Sequence, residues 1–290
     1  MPIEMKTLME PFFETAAGTP LKIAPERGTE LVEEIFKHSQ WQLLPSELGT
    51  TFSAVPGERT VYMSYAGLAG LWCVAYSVFH IMDIASHHRE ELGKNFDISH
   101  DYNDRKINQH IALARRLIKK VEPWPEGVVV PNAAADTASI EGRINNLFFG
   151  ALSWILLHEI GHVHRNHLKE IPREGRLKQE YQADAFATSW ILDSARGDER
   201  EFRVLAICVA LIWLFLSQES PRGDTVHPQP YLRFREAAAE FQLKDDSGAL
   251  LGAIYAFKAI LDPATPMPSF EEANAAFDWL AQRLENLFRN

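Results

Sequence analysis

The chain has 290 residues, with 29 Lys and Arg against 39 Asp and Glu, a formal net charge of −10. Hydrophobic residues make up 46% and charged residues 23%, which excludes a disordered chain, a collagen-like fibre and a low-complexity scaffold. The acidic balance argues against a nucleic-acid or anionic-membrane binder, which carries the opposite sign.

The first 22 residues (MPIEMKTLMEPFFETAAGTPLK) carry acids early and lack the basic-then-apolar layout of a signal peptide, so a cytoplasmic location is expected. Residues 29–39 (TELVEEIFKHS) read as a helix, and Thr60–Ser64 (TVYMS) alternates like a short strand. Residues 67–89 follow as a mostly buried helix. The stretch 61–82 has no charge and is long enough to span a bilayer. It is diluted by Ser64, Gly67, Gly70, Ser77 and His80, and Lys and Arg do not flank it heavily, so it reads as a core element. Cys73 and Cys208 each sit in an apolar run and read as buried free thiols. His87 and His88 are adjacent and read as solvated. The cluster Asp97, His100, Asp101 and Asp104 has a spacing that fits no known metal loop.

Residues 104–121 are amphipathic, with Ile107, Ile111, Leu113, Ala114, Leu117 and Ile118 on the apolar side. Residues 127–130 (GVVV), before Pro131, read as a second strand. Asp136 or Thr137 is expected to cap a long helix reaching about His167. Its centre, 147–157, is apolar on all sides, so this helix should cross a core. Pro172 and Gly175 interrupt the pattern. Helices follow at 177–195 and 201–217; the apolar run 204–216 in the latter is too short for a bilayer of about 30 Å. Pro221 to Gly223 read as a loop. Helices close the chain at 230–242, 247–260 and 269–288, the last opening with the capping box Ser269-x-x-Glu272. The expected fold is mainly α (α+β), one domain over 1–290. Residues 1–135 would form an N-terminal part with helices and edge strands, and 136–290 the helical core.

The long helix contains His158-Glu159-Ile160-Gly161-His162. Residues i and i+4 lie about 40° apart on a helix, so both imidazoles point to one side and can bind one zinc, with Glu159 beside it as a base. Alone, the motif also fits a helix with two satisfied core histidines. The next helix carries Glu180 and Asp184 on one stripe with Leu177, Ala187 and Ile191. Buried carboxylates are costly unless paired or metal-bound. A salt bridge to an arginine, or a helix turned so that both acids are solvated, would serve, but zinc explains the arrangement better. Glu180 would then be the third ligand, and Asp184 would take an N–H from a ligand histidine. Three protein ligands leave a fourth position open for water, the mark of a catalytic site. Further on stand His227-Pro228 and Arg233. His164 and His167 project about 180–240° away from the His158 side, and are expected to cap the helix C-terminus instead.

The set HEIGH, ExxxDAFA and HPxxxxR resembles the gluzincin metallopeptidases, and within them the phage-exclusion Lit-type peptidases, kin to the prenyl-protease and HtpX-type families. The likeness covers about residues 154–235. It implies a zincin-like core holding one zinc per chain on His158, His162 and Glu180, with Glu159 as general base and Asp184 behind a ligand. His227 and Arg233 would lie near the transition state or the third ligand. Val226 departs from the membrane families' unbroken Thr-His-Pro. The resemblance also implies an intracellular protein substrate such as elongation factor Tu, a role in phage defence, and a substrate added as a strand to a sheet edge, at Thr60–Ser64 or 127–130. Two alternatives remain: a repressor-cleaving regulator of the ImmA/IrrE type, which shares HExGH, and a protein-binding module with a structural zinc or none. Glu159 argues against the second.

Overall fold

The computed structural model describes residues 2–36, 41–87, 105–168, 171–217 and 227–289. The side chains of His87 and His88, the cluster 97–104 and the loop 221–223 lie outside the described residues.

Helices α1 (Met5–Ala16), α2 (Thr19–Ile23) and α3 (Gly28–Glu30) open the chain. The helix expected at 29–39 is divided: α3 runs into a π-helical turn, Leu31–Phe36. Strands β1 (Gln42–Ser46), β2 (Phe52–Val55) and β3 (Thr60–Ser64) form one mixed sheet in the order β1-β3-β2. β1 runs parallel to β3 and β2 antiparallel to it. Pro45 is tolerated in β1 because that strand is an edge. β3 has a partner on both sides and offers no free edge, so Thr60–Ser64 cannot receive a substrate strand.

The second expected strand, 127–130, does not form. Gly127 has a positive φ of 81°, and the carbonyls there are taken by side chains. Lys106 Nζ donates to Gly127 O at 2.9 Å, Trp124 Nε1 to Val128 O at 3.4 Å, and His110 Nε2 lies 3.4 Å from Val129 O. With Pro131 next, which has no donor, no ladder can be built.

β3 passes straight into α4 (Tyr65–His87), whose start is capped by Ser64: its Oγ accepts the Gly67 N–H at 2.8 Å. Residues 65–86 are long and apolar enough to cross a membrane, yet 78% of the most apolar window is buried inside the fold. Helices α5 (Ile107–Leu117), α6 (Ile140–His164), α7 (Arg173–Leu192), α8 (Gly197–Ser217), α9 (Pro230–Ala239), α10 (Gly248–Leu261) and α11 (Ala273–Phe288) complete the chain. The architecture is mainly helical with a small three-stranded sheet.

As its all-round apolar centre predicts, α6 crosses the core, packed by α2, α4, α7, α8 and β2. Its cap is Ser139, whose side chain accepts the Gly142 N–H at 3.0 Å. Asp136 is not the cap because its Oδ1 accepts the Ala138 N–H at 2.8 Å, folding a turn back over the helix start. A Cβ at Gly142 would lie 1.9 Å from the Asp136 carbonyl oxygen. Gly142→Ala must therefore displace backbone, and should lower stability by about 1–3 kcal/mol, read as a shifted urea midpoint.

Likewise α11 starts at Ala273, not Ser269, and has no side-chain cap. Its Asn274 N–H is donated to Asp245 Oδ1 at 3.2 Å, which replaces the expected capping box. Cys73 and Cys208 are free and buried, as read from their apolar settings, and Trp154 and Trp190 are core residues.

Candidate active site and metal centre

α6 presents His158, Glu159 and His162, and α7 presents Glu180 and Asp184 across from them. The two helices close tightly at Gly161, where a Cβ would meet Phe186 Cδ1 at 3.1 Å and Ala183 Cα at 3.4 Å. The bare Cα lets Glu180 reach the histidines. His158 Nε2 and His162 Nε2 lie 3.1 Å apart. Glu180 Oε1 is 3.4 Å from His162 Nε2, and Glu180 Oε2 is 3.6 Å from His158 Nε2.

Ligands about 2.0–2.2 Å from a tetrahedral ion stand roughly 3.3–3.6 Å apart, so these separations match a zinc donor set. Glu180 Oε2 is moreover buried with no hydrogen-bond partner. A buried unpaired carboxylate oxygen is costly, and a cation between the three groups would satisfy it. Two imidazoles, a carboxylate and room for a fourth group fit a metal of the zinc class.

Behind this face, His158 Nδ1–H donates to Asp184 Oδ1 at 2.8 Å. That leaves His158 Nε2 with a lone pair toward the other two donors. Arg233 grips Asp184 with both arms, Nε to Oδ2 at 2.7 Å and Nη2 to Oδ1 at 2.6 Å. The alternative read for Asp184, an arginine salt bridge, therefore holds together with its bond to the histidine. Arg233 itself is buried. Trp154 stacks beside His158, its Nε1 held by Thr188 Oγ1 at 3.0 Å.

The electrostatics follow from burial. Burial raises the pKa of Glu159. Burial and the neighbouring His158 push His162 down to about 2, so its imidazole is neutral, as a ligand must be. Burial would lower His158, but the bond to Asp184 outweighs it and the net shift is upward. Burial likewise opposes ionisation of Asp184, and Arg233 overcomes it, holding the carboxyl well below the usual range.

His158, Glu159, His162 and Glu180 line a cleft of about 300 Å³ that is also lined by Phe52, Ser53 and Ala54 of β2. Among the described residues β2 pairs with β3 alone, and it lies next to the cleft. It was not legible from the sequence, because four residues between turns carry too little alternation. His227 lies exposed on the cleft wall, near enough for its charge to act on Glu159. The structure thus gathers His158, Glu159, His162, Glu180 and His227 at one cleft and sets Asp184 and Arg233 behind His158.

His167 was missed. The helical projection ends where the helix does, at His164. Asn166 takes a left-handed φ of 51°, and the His167 N–H returns to His162 O at 3.0 Å. His167 Nδ1 thereby lies 2.9 Å from His162 Nδ1. The signal was Asn166, a residue that tolerates the left-handed position just past a helix end.

Residues 61–257 match the family described as Peptidase U49. A 23% identical relative, over 231 residues covering 76% of this chain and 77% of its own, is the Cell death peptidase of Escherichia coli (strain K12). No solved structure matches the chain.

Proposed function

The chain belongs to the Peptidase U49 family, in keeping with its resemblance to the Lit-type peptidases, and from that premise we propose that it is a zinc-dependent endopeptidase of the gluzincin type, with a zincin-like core. The observation that carries this reading is the trio His158, His162 and Glu180, with donor atoms all within 4.8 Å of one another. The otherwise orphaned Glu180 Oε2 points the same way. These three side chains would hold one zinc. When bound, zinc supplies Lewis acidity, lowering the pKa of water and polarising the scissile carbonyl.

The protein's own part in the reaction is proton handling and positioning. Glu159 takes the proton of the attacking water and passes it to the leaving amine. Its raised pKa suits both steps. His227 donates toward the oxygen that becomes negative in the transition state. Asp184 and Arg233 keep His158 in the right tautomer. The peptide adds along β2 on the side away from β3, which brings its main chain across the cleft.

A peptidase acts on protein, and the target in this reading is an intracellular one. A translation factor such as elongation factor Tu, met in the cytoplasm during phage defence, is the target that the family resemblance favours. A relative named for cell death fits cleavage of an essential protein.

Metal analysis tests the centre. The wild type should carry about one zinc per chain, while His158→Ala and Glu180→Ala should each lose most of it. Unchanged zinc in both variants would refute the donor set. His227→Ala should keep its metal and its melting temperature, while kcat falls by about 10²-fold; a change in KM alone would reassign His227 to substrate binding. A proteomic comparison of cells expressing wild type and Glu159→Gln identifies the target, and separates a translation factor from a repressor by the product found.

A further inference from the structure

We infer that His167 is a positioning residue for His162: it accepts the His162 Nδ1–H and so frees His162 Nε2 for the metal. The inference rests on the metal reading above. A histidine ligand binds through a deprotonated nitrogen, and the proton of the neutral ring must sit on the other one. His162 Nε2 is the nitrogen that faces His158 Nε2 at 3.1 Å and Glu180 Oε1 at 3.4 Å. The proton therefore belongs on Nδ1, and a buried N–H needs an acceptor. The group at that position is His167 Nδ1, 2.9 Å away, with the two rings meeting edge-on at 78°.

The opposite direction of this bond would put the His162 proton on Nε2, aimed at the other donors, and close the site to a cation. Metal binding thus selects the direction in which His162 donates and His167 accepts, and it places the proton of His167 on Nε2, a buried atom without a hydrogen-bond partner, on a ring beside which Gln182 is the neighbouring polar side chain.

The backbone shows how His167 is held for this. The left-handed Asn166 reverses the chain, and the His167 N–H is anchored on the carbonyl of the very residue its ring supports. The residue is only 7% exposed. The two histidines are thus oriented by unlike acceptors. His158 leans on a carboxylate, itself clamped by Arg233, and His162 on a neutral imidazole. A carboxylate partner raises ligand basicity more, so His162 is the weaker of the two donors. Trimming its support should show in affinity before it shows in fold.

The test is zinc affinity of the full-length protein, by competition with a chromogenic chelator, for His167→Ala, His167→Phe and His167→Asn. Asn offers an acceptor oxygen near the position of Nδ1; Phe keeps the ring and the packing but accepts nothing. Ala and Phe should weaken zinc binding by about 10–100-fold, with Asn within about threefold of wild type. Nitrogen NMR of the zinc-loaded wild type should place the His162 proton on Nδ1. A Phe variant that binds zinc like wild type, or an Asn variant as weak as Ala, overturns the inference while leaving the metal centre standing. A wild type that binds no zinc overturns both.

Discussion

Glu159→Gln is expected to fold, keep its zinc and lose cleavage by about 10²–10⁴-fold, the range that a positioned general base supplies. Glu159 follows His158 directly, and the helix sets it in the same cleft without making it part of the donor trio. Burial raises its pKa, which brings a carboxylate closer to the pH at which a base can both take and return a proton. Glutamine has the same shape and can still accept a hydrogen bond, but it cannot accept a proton. The variant also relieves the cost of a buried charge, so its melting temperature should equal or exceed that of wild type. Thermal unfolding and metal analysis beside the cleavage assay therefore separate lost chemistry from lost structure. Wild-type cleavage by Glu159→Gln on the confirmed target would remove Glu159 from the mechanism.

The parts of the site that lie on helices were readable because a helix projects its residues by a fixed angle. His158 and His162 were placed on one side by spacing alone, and Glu180 and Asp184 by the apolar stripe they interrupt. That fixed angle applies only as far as the helix runs. His167 was projected around a cylinder that ends at His164, and the turn at Asn166 brought it back beside His162.

The sheet was harder for a related reason. β3 alternates and was found at its true bounds, Thr60–Ser64. β2 has four residues, and its identity lies in pairing with β3 rather than in its own pattern. The run 127–130 has strand-forming residues, but side chains had already claimed its carbonyls. Strand pairing is non-local, and composition does not reveal which partner is within reach.

The Asp184–Arg233 pair was half legible: the apolar stripe marks the buried acid and the resemblance brings Arg233 to the site, but their contact joins residues 49 positions apart, on α7 and α9, which no local pattern reveals. Arg233→Met tests what that clamp does. Removing one partner of a buried ion pair leaves the other charged and unsatisfied, which costs about 3–5 kcal/mol. Both bonds from Arg233 to Asp184 are short, and both side chains are buried, so little solvent is at hand to replace them. The loss corresponds to roughly 5–8 °C in melting temperature for a chain of this size, measured with zinc chelated so that metal binding does not mask it.

The double variant Arg233→Met, Asp184→Leu should recover much of this, because no buried charge is then left alone. It should not recover all of it. His158 Nδ1–H loses its acceptor in that protein, which leaves a deficit of about 1–3 kcal/mol. Zinc affinity should remain about 10–100-fold below wild type in the double variant even where stability returns. Recovery of stability without recovery of affinity is the pattern expected if the pair exists to hold a ligand histidine. Full recovery of both would mean that Asp184 and Arg233 serve the fold alone, and that His158 needs no support from behind.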